Sequence, residues 1–214
     1  MKLRFICLAA SLFYFSCSSP VYKSPEFAAA LKKHKLVAIL PVEVTMKLRP
    51  NEIKNMTIEQ QEENVKQTGY ELQDKIYGWL LRKEPKYKYT VSFQDISKTN
   101  SLLENAGMKY ADLKFKDRAA IAKILGVDAV LQGKVNMEKP MSEGVAMASH
   151  VLVGGWSTTN KVHASIDIHD GESGNLLWKI DYKASGSVGS SSSDLADGLM
   201  EFASGNFPYK NSRK

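Results

Sequence analysis

Cysteine is nearly absent: Cys7 and Cys17 are the only two in 214 residues. Cys7 falls inside an N-terminal stretch that reads as removable, so the mature chain keeps one thiol and no internal disulfide is available to it. An exported domain of this kind rests on core packing alone. The apolar stretch at the N-terminus, Phe5 to Phe15, has 11 residues, far short of the roughly 20 that cross a bilayer as a helix. Catalytic signatures are missing as well. The chain has no phosphate-binding loop, dinucleotide fingerprint, Gly-x-Ser-x-Gly elbow or His-Glu-x-x-His. Nor is there a strong charge imbalance, since the formal net charge is +6. Outside the cytoplasm, that mild basic balance points to anionic headgroups or cell-wall polymers rather than to nucleic acid.

What is present begins at the N-terminus. Met1-Lys2-Leu3-Arg4 is basic, Phe5 to Phe15 is apolar, Ser16 is small, and Ser18-Ser19-Pro20 opens a polar stretch after Cys17. This order is that of an export signal. With Cys17 as first mature residue it resembles a bacterial lipoprotein signal, in which the thiol takes up diacylglycerol before cleavage. Tyr14 and Phe15 depart from that pattern, which usually carries an aliphatic and then a small residue there. A plain secretory signal cut near Cys17 is the alternative. Residues 1–16 are thus assigned to the signal, 17–35 to a tether and first helix, 36–208 to one α/β domain and 209–214 to a basic tail. Removal of the signal leaves 198 residues, a single domain able to bury roughly 70% of its unfolded surface. The Lys32-Lys33-His34-Lys35 cluster follows the tether. It reads either as a membrane-resting patch or as a solvated helix end.

Residues 18–23 read as tether, and Ser24-Pro25-Glu26 as a helix opening that carries the chain to Lys35. Leu36-Val37-Ala38-Ile39-Leu40 is a strand buried on both faces, and residues 45–56 read as a loop. Thr57-Ile58-Glu59-Gln60 is a capping box opening a helix to Lys83, with Val65, Gly69, Leu72, Ile76, Trp79 and Leu80 on one face. Gly69 and Gly78 are costly in a helix unless something approaches closely. Residues 89–93 alternate as a strand. Helices are expected over 100–106, stopped by Gly107, and over 118–125, capped by Asp117 and stopped by Gly126. Strands follow at 128–135, 162–168 and 176–182, the last two joined by the turn-rich 170–175. The fold class is α/β: a three-layer sandwich with a mixed sheet, helices on both faces and a C-terminal antiparallel hairpin.

The stretches Leu-Gly-Val-Asp-Ala-Val-Leu-Gln-Gly at 125–133 and Asp-Gly-Glu-Ser-Gly-Asn-Leu-Leu-Trp at 170–178 resemble two signatures of one superfamily. It groups curli-secretion-channel-like lipoproteins, outer-membrane activators of penicillin-binding proteins and small envelope lipoproteins. Those proteins also begin with a lipidated Cys and a strand like Val37-Ala38-Ile39-Leu40-Pro41, and end in a helix with a Pro-containing tail, here Phe207-Pro208. The likeness spans about residues 36–208. It implies a membrane-anchored, non-enzymatic assembly, adaptor or regulatory module of an envelope machine, without cofactor or metal. The implied partners are the membrane through the N-terminal lipid, an envelope protein and a second copy of the chain. The implied place is the outer membrane facing the periplasm, and Ser18, being no Asp, fits that sorting. A curli-type secretion-pore subunit is an alternative reading, but paired alternating strands of roughly 9–11 residues would be required and no second long insertion is visible.

Two stretches attract a site reading. Residues 144–156 are uncharged and rich in small residues, with Val145, Met147, Val151, Leu152 and Trp156 as candidate partner contacts; a helix packed on its own sheet is the alternative. His163, Ser165, Asp167 and His169 share one face of a strand and tempt a hydrolase or metal reading. Neighbours in such a row are about 6.6 Å apart, too far for a relay that needs about 3.2 Å. A solvated outer face of an edge hairpin is expected instead. Tyr77, Tyr87, Tyr89, Lys86 and Lys88 form a basic aromatic cluster, read as a helix-to-strand corner or a glycan-stacking surface.

Overall fold

The computed structural model describes residues 21–47, 56–138, 161–185 and 192–211. Seven strands form one mixed sheet: β1 (Val21–Lys23), β2 (Leu36–Ile39), β3 (Glu43–Lys47), β4 (Ser92–Phe93), β5 (Ala129–Glu138), β6 (Lys161–Asp170) and β7 (Leu176–Ser185). Their spatial order is β1-β7-β6-β5-β2-β4, with β3 also paired to β5. β2 is parallel to both β4 and β5, while β5, β6, β7 and β1 are antiparallel to one another in turn. The helices are α1 (Phe27–Leu31), α2 (Ile58–Tyr87), α3 (Ile96–Asn105), α4 (Arg118–Leu125) and α5 (Ser192–Ser204), with a 3₁₀ turn at Tyr110–Phe115.

Strand alternation divides the core in two. Ile39, Leu131, Ile166, Ile168, Trp178 and Ile180 pack under α2 and α5 in the larger cluster. Ala38, Leu40 and Val130 face the other way, against Leu103 of α3 and Ile121, Ala122 and Leu125 of α4. Helices therefore cover both faces, giving the three layers expected, and β6–β7 is the C-terminal hairpin. Trp178 is fully buried, the apolar anchor that the hairpin sequence requires.

Local chemistry accounts for the helix ends. Thr57 and Gln60 exchange the two bonds of a capping box. Asp117 caps α4, and Gly126 closes it with a φ of 65°. In the hairpin turn Gly174 has a φ of 74°. Gly171 is required for a different reason than positive φ: a Cβ there would lie 2.6 Å from the Asp128 carbonyl, to which its own amide donates. Close approach explains Gly69 too, where a Cβ would stand 2.5 Å from both the Val42 carbonyl and the Tyr110 hydroxyl. It does not explain Gly78, whose Cβ would meet only the Arg82 guanidinium at 3.7 Å.

Several boundaries differ from the sequence reading, each for a tertiary reason. Residues 21–23 are an edge strand rather than tether, because β7 offers them a free edge. The first helix is five residues long, since Ser24 extends the strand pairing through its amide to the Leu177 carbonyl and the Asp128 carboxylate takes the amides of Lys35 and Leu36. Part of the expected 45–56 loop is β3, held by parallel pairing with β5. α2 runs on past Lys83 through Pro85, which forfeits one late backbone bond, and ends where Lys88 turns left-handed. The 89–93 strand shrinks to Ser92–Phe93 because the amide of Thr90 is taken by the Tyr209 carbonyl. α3 starts at Ile96, four residues before the expected position, where Asp95 caps it through the amides of Ser97 and Lys98.

Gly69→Ala is expected to lower stability by about 1–3 kcal/mol through backbone collision. Gly78→Ala, with open space, is expected to raise it by up to about 1 kcal/mol. Urea unfolding of the two variants checks both signs.

Candidate functional site

Among the described residues, the sheet face that carries α3 and α4 is only partly roofed. α4 lies over the start of β5 and the end of β6. Further along, register aligns polar residues strand by strand. Tyr22, Lys179, Asp167 and Gln132 form one row across β1, β7, β6 and β5. Asp181, Ser165, Lys134 and Glu43 form the next, across β7, β6, β5 and β3, and Lys183, His163, Asn136 and Thr45 the one after. Thr45, Lys134, His163, Asp181 and Lys183 are exposed.

The His163–His169 row therefore lies in a central strand, not on an edge hairpin, and the expectation that it is solvated fails for three of its members. Asp167 is 2% exposed and Ser165 6%, and His169 is half-buried. Asp167 is the electrostatic centre. Lys179 Nζ donates to one of its oxygens at 3.1 Å, and Lys134 Nζ lies 3.6 Å from the other. Burial pulls the Lys179 ammonium down, but Asp167 and Asp181 outweigh it and hold it above the ordinary lysine range. His169 Nδ1 meets the Gly174 carbonyl at 3.1 Å, and burial holds its ring below the usual histidine range. The spacing argument against a relay stands, for Asp167 and His169 are each bonded elsewhere. Among the described residues no three metal-ligating side chains come together.

A second polar network joins three distant parts of the chain. His34, 3% exposed, bridges the Tyr209 hydroxyl at 2.8 Å through Nδ1 and the Asp170 carboxylate at 3.0 Å through Nε2. The carboxylate can only accept, so Nε2 donates to it, while Nδ1 and the Tyr209 hydroxyl share the second bond. Asp170 also accepts from the Ser173 amide and hydroxyl. Burial pushes the Asp170 carboxyl up, yet the bonds from His34 and Ser173 prevail and hold it below the ordinary aspartate range. Burial raises the Tyr209 phenol, and the nearby Asp170 and Asp128 carboxylates raise it further. An Asp-His-Tyr chain resembles a nucleophile relay, but Tyr209 is fully buried. Its chemistry is that of a clasp. Sequence reading missed it, because residues 34, 170 and 209 share no spacing signal.

The tyrosine-lysine cluster is a packed corner and not a glycan platform. Tyr87 is 5% exposed and tilts against Trp79, and Tyr89 meets Tyr87, Phe93 and Phe207 edge-on. Cys17 and the segment with Val145, Met147, Val151, Leu152 and Trp156 lie outside the described residues. Among the described residues no helix is long and apolar enough to cross a membrane.

No family model and no curated protein matches the chain. Among solved structures, lipoprotein GNA1162 from Neisseria meningitidis is similar at 16% identity and a TM-score of 0.45, over 79% of this chain and 94% of that one. The LpoB C-terminal domain from Salmonella enterica is similar at 9% identity and 0.40, over 71% and 83%. The PelC dodecamer from Paraburkholderia phytofirmans is similar at 12% identity and 0.42, over 90% and 96%. At these scores the likenesses say nothing of what the chain binds or does.

Asp167→Ala is expected to cost about 1–3 kcal/mol in urea unfolding, the range for orphaning a buried polar partner, because both lysines can still reach water. The folded His169 takes up its proton at lower pH than the unfolded one. Stability from this group is therefore complete above the ordinary histidine pKa and declines as pH falls through that value towards the folded one. His169→Asn should flatten the unfolding midpoint between about pH 7 and pH 5, with the wild type falling more steeply over the same range.

Proposed function

We propose that this chain is an envelope lipoprotein, held to a membrane by an acyl chain on Cys17, that acts without catalysis as an adaptor, assembly or regulatory module for an envelope machine. The observation that carries the reading is where the polar chemistry goes. His34, Asp167, Asp170, His169 and Tyr209 hold the body together by bonding to each other, to lysines and to backbone. Their placement supports a scaffold, and a scaffold near a membrane works by contact.

The topology gives that contact two ends. Leu36, Asp128 and Asp170 mark one end of the sheet, where Leu36 and Asp128 are bonded and the hairpin turn begins. Glu138 and Lys161, paired at the close of β5 and the opening of β6, mark the other. Ten-residue strands separate the two by about 30 Å. Val145, Met147, Val151, Leu152 and Trp156 lie between Glu138 and Lys161 in the sequence. The proposed partner is an envelope protein engaging residues 144–156. The outer membrane facing the periplasm is the proposed location.

Labelled palmitate is expected to enter the wild-type protein and not Cys17→Ala. Label in the variant, or none in the wild type, removes the anchor from the reading. His163→Ala and His169→Ala are expected to leave function in the native envelope intact, whereas Trp156→Ala lowers recovery of co-purifying envelope chains. Loss of function in the histidine variants with fold and partner recovery unchanged would favour the enzymatic alternative.

A further inference from the structure

β1 is the outermost strand on one side of the sheet, and among the described residues no strand pairs with its outer edge. It is also the part of the folded body nearest to Cys17. Val21, the first residue of β1, follows Cys17 by four positions, a contour of at most about 14 Å. β4 stands at the other margin of the sheet, beyond β7, β6, β5 and β2, about 24 Å away. Two exposed aromatic rings flank the β1 edge on opposite faces. Tyr22 is 48% exposed and shares its row with Lys179 and Asp167 on the α4 face. Phe202 of α5 is 44% exposed and tilts against Tyr182 of β7 on the other face, 5.4 Å between centroids. Val21, Phe27, Leu31 and Tyr182 are half-buried against the core beside them. The sequence neighbours of these residues carry charges that cancel, Lys23, Lys32 and Lys183 against Glu26, Asp181 and Glu201.

We propose that the β1 edge is the membrane-facing side of the anchored body, with Tyr22 and Phe202 at headgroup level and the β4 edge turned outward. The inference rests on the Cys17 anchor and adds an orientation to it. Reach argues for a bilayer as the occupant. An acyl chain on Cys17 holds its bilayer within about 14 Å of Val21, whichever way residues 18–20 run. The β4 edge and α3, which follows it, lie beyond that distance. Side chains then choose among the surfaces within reach. At the end of the sheet marked by Glu138, Thr45, Lys47 and His163 are exposed, and at the end marked by Asp128, Lys35 and Lys88 are. All of these are polar. The β1 edge instead offers a phenol with an apolar ring and a polar tip, and a phenyl ring almost half bare. Both suit the boundary between acyl chains and headgroups. Because the local charges cancel, the rings and not electrostatics carry the contact. Tethering makes that contact intramolecular, so a weak attraction becomes occupied.

The test places one nitroxide label at a time on the full mature protein purified from its own envelope. With Cys17 acylated, an introduced cysteine is the one free thiol. Lys23→Cys and Asp181→Cys report on the β1 edge, Thr45→Cys and Lys35→Cys on the two ends, and Lys98→Cys on α3; all five positions are exposed. Each protein is placed in phosphatidylcholine vesicles carrying a nickel-chelating lipid, and relaxation of the label by nickel is read by electron paramagnetic resonance. The mass of the N-terminal peptide is measured on the same preparation. Relaxation is expected at residues 23 and 181, to be absent at residues 35, 45 and 98, and to be unchanged at about 0.5 M salt, where charge contacts are screened. Tyr22→Ser/Phe202→Ser, changed at two exposed positions, is expected to stay on the vesicles by its anchor and to lose the relaxation at residues 23 and 181. Acylated Cys17 with relaxation strongest at residue 35, 45 or 98 overturns the orientation and leaves the anchor standing, whereas an unmodified Cys17 overturns both. Spin–spin broadening at residue 23 in detergent assigns the edge to a second copy of the chain and overturns the proposal, as does relaxation that salt abolishes or that survives the loss of both rings.

Discussion

The pairing of Val21–Lys23 with the outer edge of β7 decides how everything before it relates to everything after it. Three residues of antiparallel ladder, continued by the bond from the Ser24 amide to the Leu177 carbonyl, convert a stretch that looks like a free linker into part of the sheet. Without that ladder, a lipid on Cys17 would hold the domain on a string of undefined length. With it, only residues 18–20 stand in the sequence between Cys17 and the sheet. The next segment, residues 24–35, passes from β1 to β2, with β7, β6 and β5 lying between them in the sheet. It is pinned at its end by Asp128 and through His34 by Asp170 and Tyr209.

The same clasp shows what the polar residues of this fold do. A buried His-Asp pair and a buried Asp beside two lysines are the groups from which active sites are built, but here each closes a gap between segments distant in sequence. His34 joins the N-terminal crossing to the hairpin turn and to the C-terminal tail. Asp167 ties β5 to β7 across β6 through Lys134 and Lys179. Burial makes such bonds expensive to break from one side, so they specify a single arrangement of segments. Polar chemistry turned to the body's own shape supports the proposed role of presenting surfaces to other molecules.

Much of this was legible in the sequence where local chemistry decides. The capping box at Thr57 and Gln60, the Asp117 cap with its Gly126 stop, and the Gly174 turn specify backbone through one or two neighbours, and they fell where the residues placed them. The 3.6-residue recurrence of Gly69, Leu72, Ile76 and Leu80 named the buried face of α2. What failed to show was whatever depends on partners far along the chain. β1 and β3 are strands because β7 and β5 had open edges, not because their own residues insist on it. The 89–93 strand is short because Tyr209 takes the amide of Thr90. The His163–His169 row looked solvated because alternation alone does not tell a central strand from an edge strand. The His34 clasp, made of residues 136 and 175 positions apart from its centre, carried no signal at all.

The account turns on the anchor standing directly against a folded edge, and amide exchange at Ser24 in the lipidated protein on bilayers measures that most directly. If β1 is part of the body, the Ser24 amide exchanges with the slow class of β7, retarded on the order of 100-fold or more relative to an unstructured chain. Exchange at the unprotected rate while β6 and β7 stay protected would show residues 21–24 to be a loose linker, and the account of an anchor set directly against the sheet would be wrong.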